Sequence, residues 1–129
     1  VLNDSLLQQY ITDKNITASK TNLGVYLSVN QQGKGRNIKG EDKASFHYKV
    51  YLINDTLVDE SYKRGEPFSC IVGRGGVIEG LDKTLPLLSL GAKATILIPS
   101  DLAYGEKRMG RAIPPNSSLR FDIEVVGVE

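Results

Sequence analysis

The residues that could do chemistry in this chain are few, and their types narrow the choice of reaction. There is one histidine, His47, one cysteine, Cys70, and no tryptophan. A nucleophilic thiol needs a base beside it, and His47 stands in an alternating strand pattern that gives it no reason to face Cys70. Cys70 itself alternates with Phe68 and Val72, as a small buried apolar residue does. A single cysteine excludes an internal disulfide and a multi-cysteine metal site. No Ser-His-Asp arrangement, no His/Cys cluster and no P-loop lysine after "GRGGVIEG" is present. Neither a metal nor a cofactor is expected. What remains is an aromatic and aliphatic set: Tyr48 and Phe121 on strand faces, Phe68 opening another strand, Val77 and Ile78 beginning a helix. Tyr104 and Ile113 belong to the stretch "LAYGEKRMGRAIPP" at 102–115, and a loop of this length is usually functional or disordered. By spacing alone such residues are either filled core or the wall of a pocket, and periodicity does not separate the two.

The elements that must position them follow from patterning. With 129 residues the chain fits one domain. Its 16 basic and 15 acidic side chains leave a net charge of +1, which argues against a nucleic-acid partner or an anionic membrane surface. No apolar run reaches the about 18 residues of a membrane-spanning helix. Ser5 and Gln8 form a capping box, and Leu6, Leu7, Tyr10 and Ile11 follow at helical spacing, predicting a short helix that ends near Lys14 and must dock on something. "TNLGVYLSVN", "ASFHYKVYLI", "PFSCIVG", "AKATILIP" and "SLRFDIEVVGV" alternate as strands do. "QQGKGRNIKGEDK" reads as a solvated loop. Between the third and fourth strands, Ile78, Leu81, Leu85 and Leu88 recur at helical spacing, with Pro86 tightening the last turn and Gly91 placed to end it. The expected fold is α+β: an antiparallel sheet of about five strands packed on one short helix, with an extra short N-terminal helix. Residues 1–21 are expected to be that helix and a linker, and residues 22–129 the domain.

The stretches "FHYKVYL", "VDESYKRGEPF", "VGRGGVIEGLDKTLPLLSLGAKATILIPSDLAYG" and "AIPPNSSLRFDIEVV" resemble, in order and spacing, the FKBP-type peptidyl-prolyl cis–trans isomerases. The specific pieces are V-I-x-G, L-A-Y-G and I-P-P-N-x-x-L-x-F-D-I-E. The resemblance implies a sheet wrapped around the helix and a pocket that takes a proline ring. By motif position Tyr48, Asp59, Phe68, Val77, Ile78, Tyr104, Ile113 and Phe121 would line that pocket, and Arg64 would pair with Asp59. It further implies that the Ile78 N–H and the Tyr104 hydroxyl bond substrate carbonyls, and that the 102–115 stretch, Ala103 included, forms the rim. Departures from the family pattern occur at Val58, commonly aromatic, at Leu81, where an indole usually floors the pocket, and at Met109 and Ala112 on the rim. These imply a wider pocket with weakened macrolide binding.

Rotation about an X–Pro bond breaks no σ bond, so an isomerase requires no nucleophile or metal, in keeping with what the chain lacks. The implied partners are proline-containing peptides and unfolded or partly folded protein chains. A binding module with weak or no catalysis is the alternative, and a third is an inert scaffold with the pocket collapsed. The N-terminus resembles that of exported bacterial members of the family but is too short for a helical dimerisation stalk. A monomer, periplasmic or membrane-tethered as a lipoprotein, is therefore expected. A start at Val1 rather than Met is read as a trimmed chain whose leader or lipid-attachment segment the sequence does not show.

Overall fold

The computed structural model describes residues 2–14, 16, 18–21, 24–53, 55–74, 77–99 and 118–129. Its frame is a pair of ten-residue strands, β3 (Lys43–Leu52) and β7 (Leu119–Val128). They run antiparallel from Ala44 opposite Val128 to Leu52 opposite Leu119, with one shift of register between Ser45 and Phe46. Each alternates, so Ala44, Phe46 and Val50 on one strand and Leu119, Phe121, Ile123 and Val125 on the other turn to the same buried side. Beyond β7 come β6 (Lys93–Ile98), β2 (Tyr26–Gln31) and the two-residue β1 (Ser19–Lys20). The other edge of β3 is divided. There β5 (Phe68–Ile71) pairs with its first half and β4 (Leu57–Glu60) with its second.

Seven strands are thus seen among the described residues, all in one antiparallel sheet. The expected five are among them. β1 and β4, with two and four residues, are too short to reveal an alternation, and β1 lies in the stretch read as linker.

The buried side of the sheet is filled by α2 (Glu79–Thr84), which tightens into a 3₁₀ turn over Leu85–Leu87. Pro86 accounts for the tightening, since it has no N–H to continue an α-helix. Leu81, Leu85 and Leu88 are buried there among Val25, Phe46, Ile96, Phe121 and Ile123. Gly91 does not cap the helix as expected. Helical backbone stops at Leu87, Leu88 is already extended, and Gly91, at φ 92°, turns the chain into β6.

The opposite side of the sheet is covered in part by α1 (Leu2–Lys14). The helix begins before the predicted capping box, so Ser5 lies inside it and is not its cap. Leu7 and Tyr10, 0% and 6% exposed, pack with Tyr26 and Leu97. Polar contacts extend the seam: the Tyr10 hydroxyl donates to Asp55 Oδ1 at 2.6 Å, Arg120 Nη1 donates to the same hydroxyl at 3.1 Å, and Lys14 pairs with Asp55. The helix that had to dock therefore docks on the domain. No helix among the described residues is long and apolar enough to cross a membrane.

A helix of 13 residues is marginal by itself, so its order depends on this packing. Leu7→Ala is expected to lower the urea midpoint by an amount equivalent to about 2–3 kcal/mol, the cost of emptying a buried leucine site. An unchanged midpoint would mean that α1 contributes nothing to the fold.

Candidate functional site

Between the start of α2 and the sheet lies a cavity of about 240 Å³, lined by Phe46, Tyr48, Asp59, Phe68, Val77, Ile78, Leu81 and Phe121. Its chemistry follows from strand parity. Phe46 and Tyr48 are two apart on β3 and face the same side. Phe121 is set opposite Val50 on β7, and Phe68 opposite Phe46 on β5. The rings meet edge-on or tilted: Phe46 and Phe68 at 5.7 Å between centroids, Tyr48 and Phe68 at 6.3 Å, Tyr48 and Phe121 at 6.5 Å. These are the arrangements that ring quadrupoles favour. Leu81 and Phe121 are buried, whereas Phe68 is 36% exposed and forms the outer wall. A cavity of about 150 Å³ walled by apolar side chains takes a benzene, so this one has room for a five-membered ring.

One acidic group is set in this apolar lining. Asp59 arrives on β4, which runs straight into a 3₁₀ turn, Ser61–Arg64, closed by Gly65 in the left-handed region at φ 71°. The turn brings Arg64 back onto the strand that precedes it. Arg64 Nη1 donates to Asp59 Oδ1 at 3.0 Å, Arg64 Nη2 to the Tyr48 hydroxyl at 2.6 Å, and that hydroxyl to Asp59 Oδ2 at 2.8 Å. The Glu60 amide donates to Asp59 Oδ1 at 2.8 Å. Partial burial works to raise the Asp59 pKa, but the bonds from Tyr48, Arg64 and the Glu60 amide outweigh it and hold the carboxyl below its usual value. Burial, then the bond to Asp59, push the Tyr48 phenol up. At neutral pH the array is a carboxylate with a phenol and a guanidinium donating into it, which makes Asp59 an anchor and a poor general base.

Of the residues singled out in the sequence, Tyr48, Asp59, Phe68, Val77, Ile78, Leu81 and Phe121 come together around the cavity. Arg64 reaches it only through Asp59 and Tyr48. Val58 is half-buried and packs on the main core, but it is not among the residues that line the cavity. Ala103, Tyr104, Met109, Ala112 and Ile113 lie outside the described residues, as does the rim they were expected to form. Phe46 lines the cavity without having been singled out, although its place two residues before Tyr48 put it on the same face. Cys70 is half-buried against the core, and burial raises its thiol pKa. Ile78 is held at the head of α2, where its carbonyl accepts the amides of Leu81 at 3.1 Å and Asp82 at 3.0 Å.

A model of the family described as FKBP-type peptidyl-prolyl cis-trans isomerase matches residues 34–126. The chain belongs to that family. FK506-binding protein 1A of Neurospora crassa is 40% identical over 107 residues, covering 82% of this chain and 89% of the relative. The peptidyl-prolyl cis-trans isomerase of Schizosaccharomyces pombe is 39% identical over 107 residues, with 82% and 96% covered. Among solved structures, FkpA from Escherichia coli superposes with a TM-score of 0.85 at 34% identity, over 98% of this chain and 59% of that one. The chain thus spans well under two-thirds of FkpA. AtFKBP13 superposes with a TM-score of 0.82 at 33% identity, over 88% and 99%. The FKBP fold expected from the motifs, a sheet wrapped around a short helix, is the fold observed.

Because its donors hold the folded Asp59 carboxyl below the usual carboxylate value, the array stabilises the fold above that value. The contribution is lost as pH falls through the lower, folded pKa. The stability advantage of wild type over Asp59→Asn is expected to hold from pH 7 down to about pH 4 and then shrink. Urea midpoints of the two proteins between pH 7 and 2.5 check this, and a difference constant with pH would refute it.

Proposed function

We propose that this FKBP-family chain accelerates rotation about X–Pro peptide bonds by seating the proline ring in the cavity of Phe46, Tyr48, Phe68, Val77, Ile78, Leu81 and Phe121. The carrying observation is a ring-sized aromatic cavity with one ionised carboxylate held in its wall. The uncatalysed barrier, roughly 18–20 kcal/mol, is the loss of amide resonance. A twisted amide is less charge-separated than a planar one, so transfer to an apolar site costs the transition state less than the ground state. Asp59, with Tyr48 and Arg64, keeps the wall in place and offers a fixed acceptor at its edge. The Ile78 N–H, at the head of α2 and beside the cavity, is assigned a flanking substrate carbonyl on the strength of the family motif. Tyr104 is assigned the other and Ile113 the rim, on the strength of the family motifs. Phe121, Phe68 and Tyr48 supply contact area.

The substrates in this reading are proline-containing peptides and unfolded or partly folded chains, which gives the protein a chaperone-like place in folding. The docking of α1 on its own sheet supports a monomer. A periplasmic or membrane-tethered location rests on the helix and linker ahead of the domain, as in exported bacterial members. Light scattering and cell fractionation test these two parts.

Wild type is expected to accelerate cis–trans exchange of a short X–Pro peptide in a protease-coupled assay, with Asp59→Ala and Phe121→Leu each lowering kcat/KM on the order of tenfold, about 1.4 kcal/mol. Phe121→Leu is preferred to alanine because Phe121 is also core. A wild-type rate equal to the uncatalysed one would sink the isomerase reading in favour of a binding module.

FK506, the macrolide in the relatives' names, should bind weakly because Leu81 offers less surface than an indole. Leu81→Trp is expected to tighten FK506 binding about tenfold, as some 60 Å² of added apolar contact at ~25 cal/mol per Å² predicts. Titration calorimetry showing equal affinity for both proteins would remove Leu81 as the cause.

A further inference from the structure

Strand β3 has one continuous neighbour, β7, and one interrupted one. On the interrupted edge β5 pairs with Lys43 through Phe46, and β4 with Lys49 through Tyr51. Neither strand pairs with His47 or Tyr48, and a backbone N–H left without a partner there would cost about what a lost hydrogen bond costs.

Ser61 closes this gap. Its side chain is fully buried, the Tyr48 N–H donates to its Oγ at 2.8 Å, and a second bond of 2.9 Å joins that Oγ to His47 Nδ1. With the Tyr48 amide donating into the hydroxyl, the hydroxyl proton is available to His47 Nδ1. The His47 ring is held on its other side by Tyr62, stacked at 4.6 Å and 15°.

Ser61 is not among the residues lining the cavity, yet it belongs to the same short turn as Arg64. That turn grips Tyr48 at both ends: Ser61 holds the backbone nitrogen, and Arg64 holds the phenol oxygen. Building on the isomerase reading, we propose that Ser61 is a positioning residue for the reaction. It stands in for a strand partner at the seam between β4 and β5, and so sets the place of the Tyr48 ring and hydroxyl in the cavity wall. A side chain serves here where a strand could not, because the chain must leave β4 at this point to carry Arg64 back to Asp59.

The test uses the full chain with Ser61→Ala, and Ser28→Ala as a control for loss of a buried hydroxyl in β2, away from the cavity. Amide ¹H–¹⁵N spectra and hydrogen exchange report on Tyr48, and the protease-coupled assay reports on turnover. Ser61→Ala is expected to move the Tyr48 amide resonance, to speed its exchange on the order of tenfold, and to lower kcat/KM by about threefold to tenfold. Ser28→Ala should leave all three at wild-type values. If Ser61→Ala does not fold, Ser61→Cys, a weaker acceptor of similar size, gives the same comparison. A Tyr48 amide with wild-type shift and exchange in the Ser61 variant overturns the proposal. So does a rate loss no larger than that of Ser28→Ala. An inactive wild type defeats the isomerase reading instead, and Ser61 is then judged on the Tyr48 amide alone.

Discussion

The antiparallel ladder between β3 and β7 is the constraint on which the rest of the molecule depends. It runs nearly the full length of both strands, and most of one face of it is buried. Because side chains alternate with a period of two, a slip of one residue would turn Phe46, Tyr48 and Val50 outward against an unchanged partner. The hydrophobic face therefore sets the register, and the register puts Tyr48 and Phe121 on adjacent strands with their rings 6.5 Å apart. The cavity is what remains where α2, only six residues long, begins above this pair. Leu81 on the helix, with Leu85 and Leu88 just after it, covers the middle of the sheet, and the aromatic end is left bordering the cavity.

The acidic array on that wall is a matter of geometry more than of stability. Arg64 and Asp59 are about half exposed, with side-chain values of 52% and 47%, and ion pairs so placed contribute little net free energy. Their value lies in directionality. A carboxylate that accepts from a phenol, a guanidinium and an amide has few orientations left to it, and neither has the tyrosine between them. Desolvation opposes the charge on Asp59, and three donors overcome it, which keeps an ionised group beside an apolar cavity.

The other face of the sheet shows why β6 ends in the apolar run Ile96, Leu97 and Ile98. Ala94 and Ile96 meet the core around α2, while Leu97 meets Leu7, Tyr10 and Tyr26 under α1. A strand covered on both sides loses its alternation. Arg120 ties this side together, donating to Tyr10 from α1 and to Asp122 two residues along its own strand. The N-terminal helix is thereby part of the domain's second, smaller core.

Much of this was legible in the sequence because strand alternation is local. The faces of β3 and β7, the short helix with its proline-tightened end, and the motifs around Val77, Ile78 and Phe121 all follow from residues a few positions apart. Alternation could not tell lining from filling: Phe46 and Tyr48 share a face with Val50, and only the reach of α2 decides which of them borders a cavity. Nor could it show β1 and β4, too short to carry a period, or that helix formation starts ahead of Ser5. The part played by Ser61 was invisible for another reason. A buried hydroxyl bonding a backbone nitrogen 13 positions earlier leaves no pattern in the chain, because it depends on where two strands stop. Sequence determined which side each residue faces, through local sterics and the hydrophobic effect; tertiary structure alone decided which of those faces remained open, because that depends on how far elements distant in the chain extend over one another.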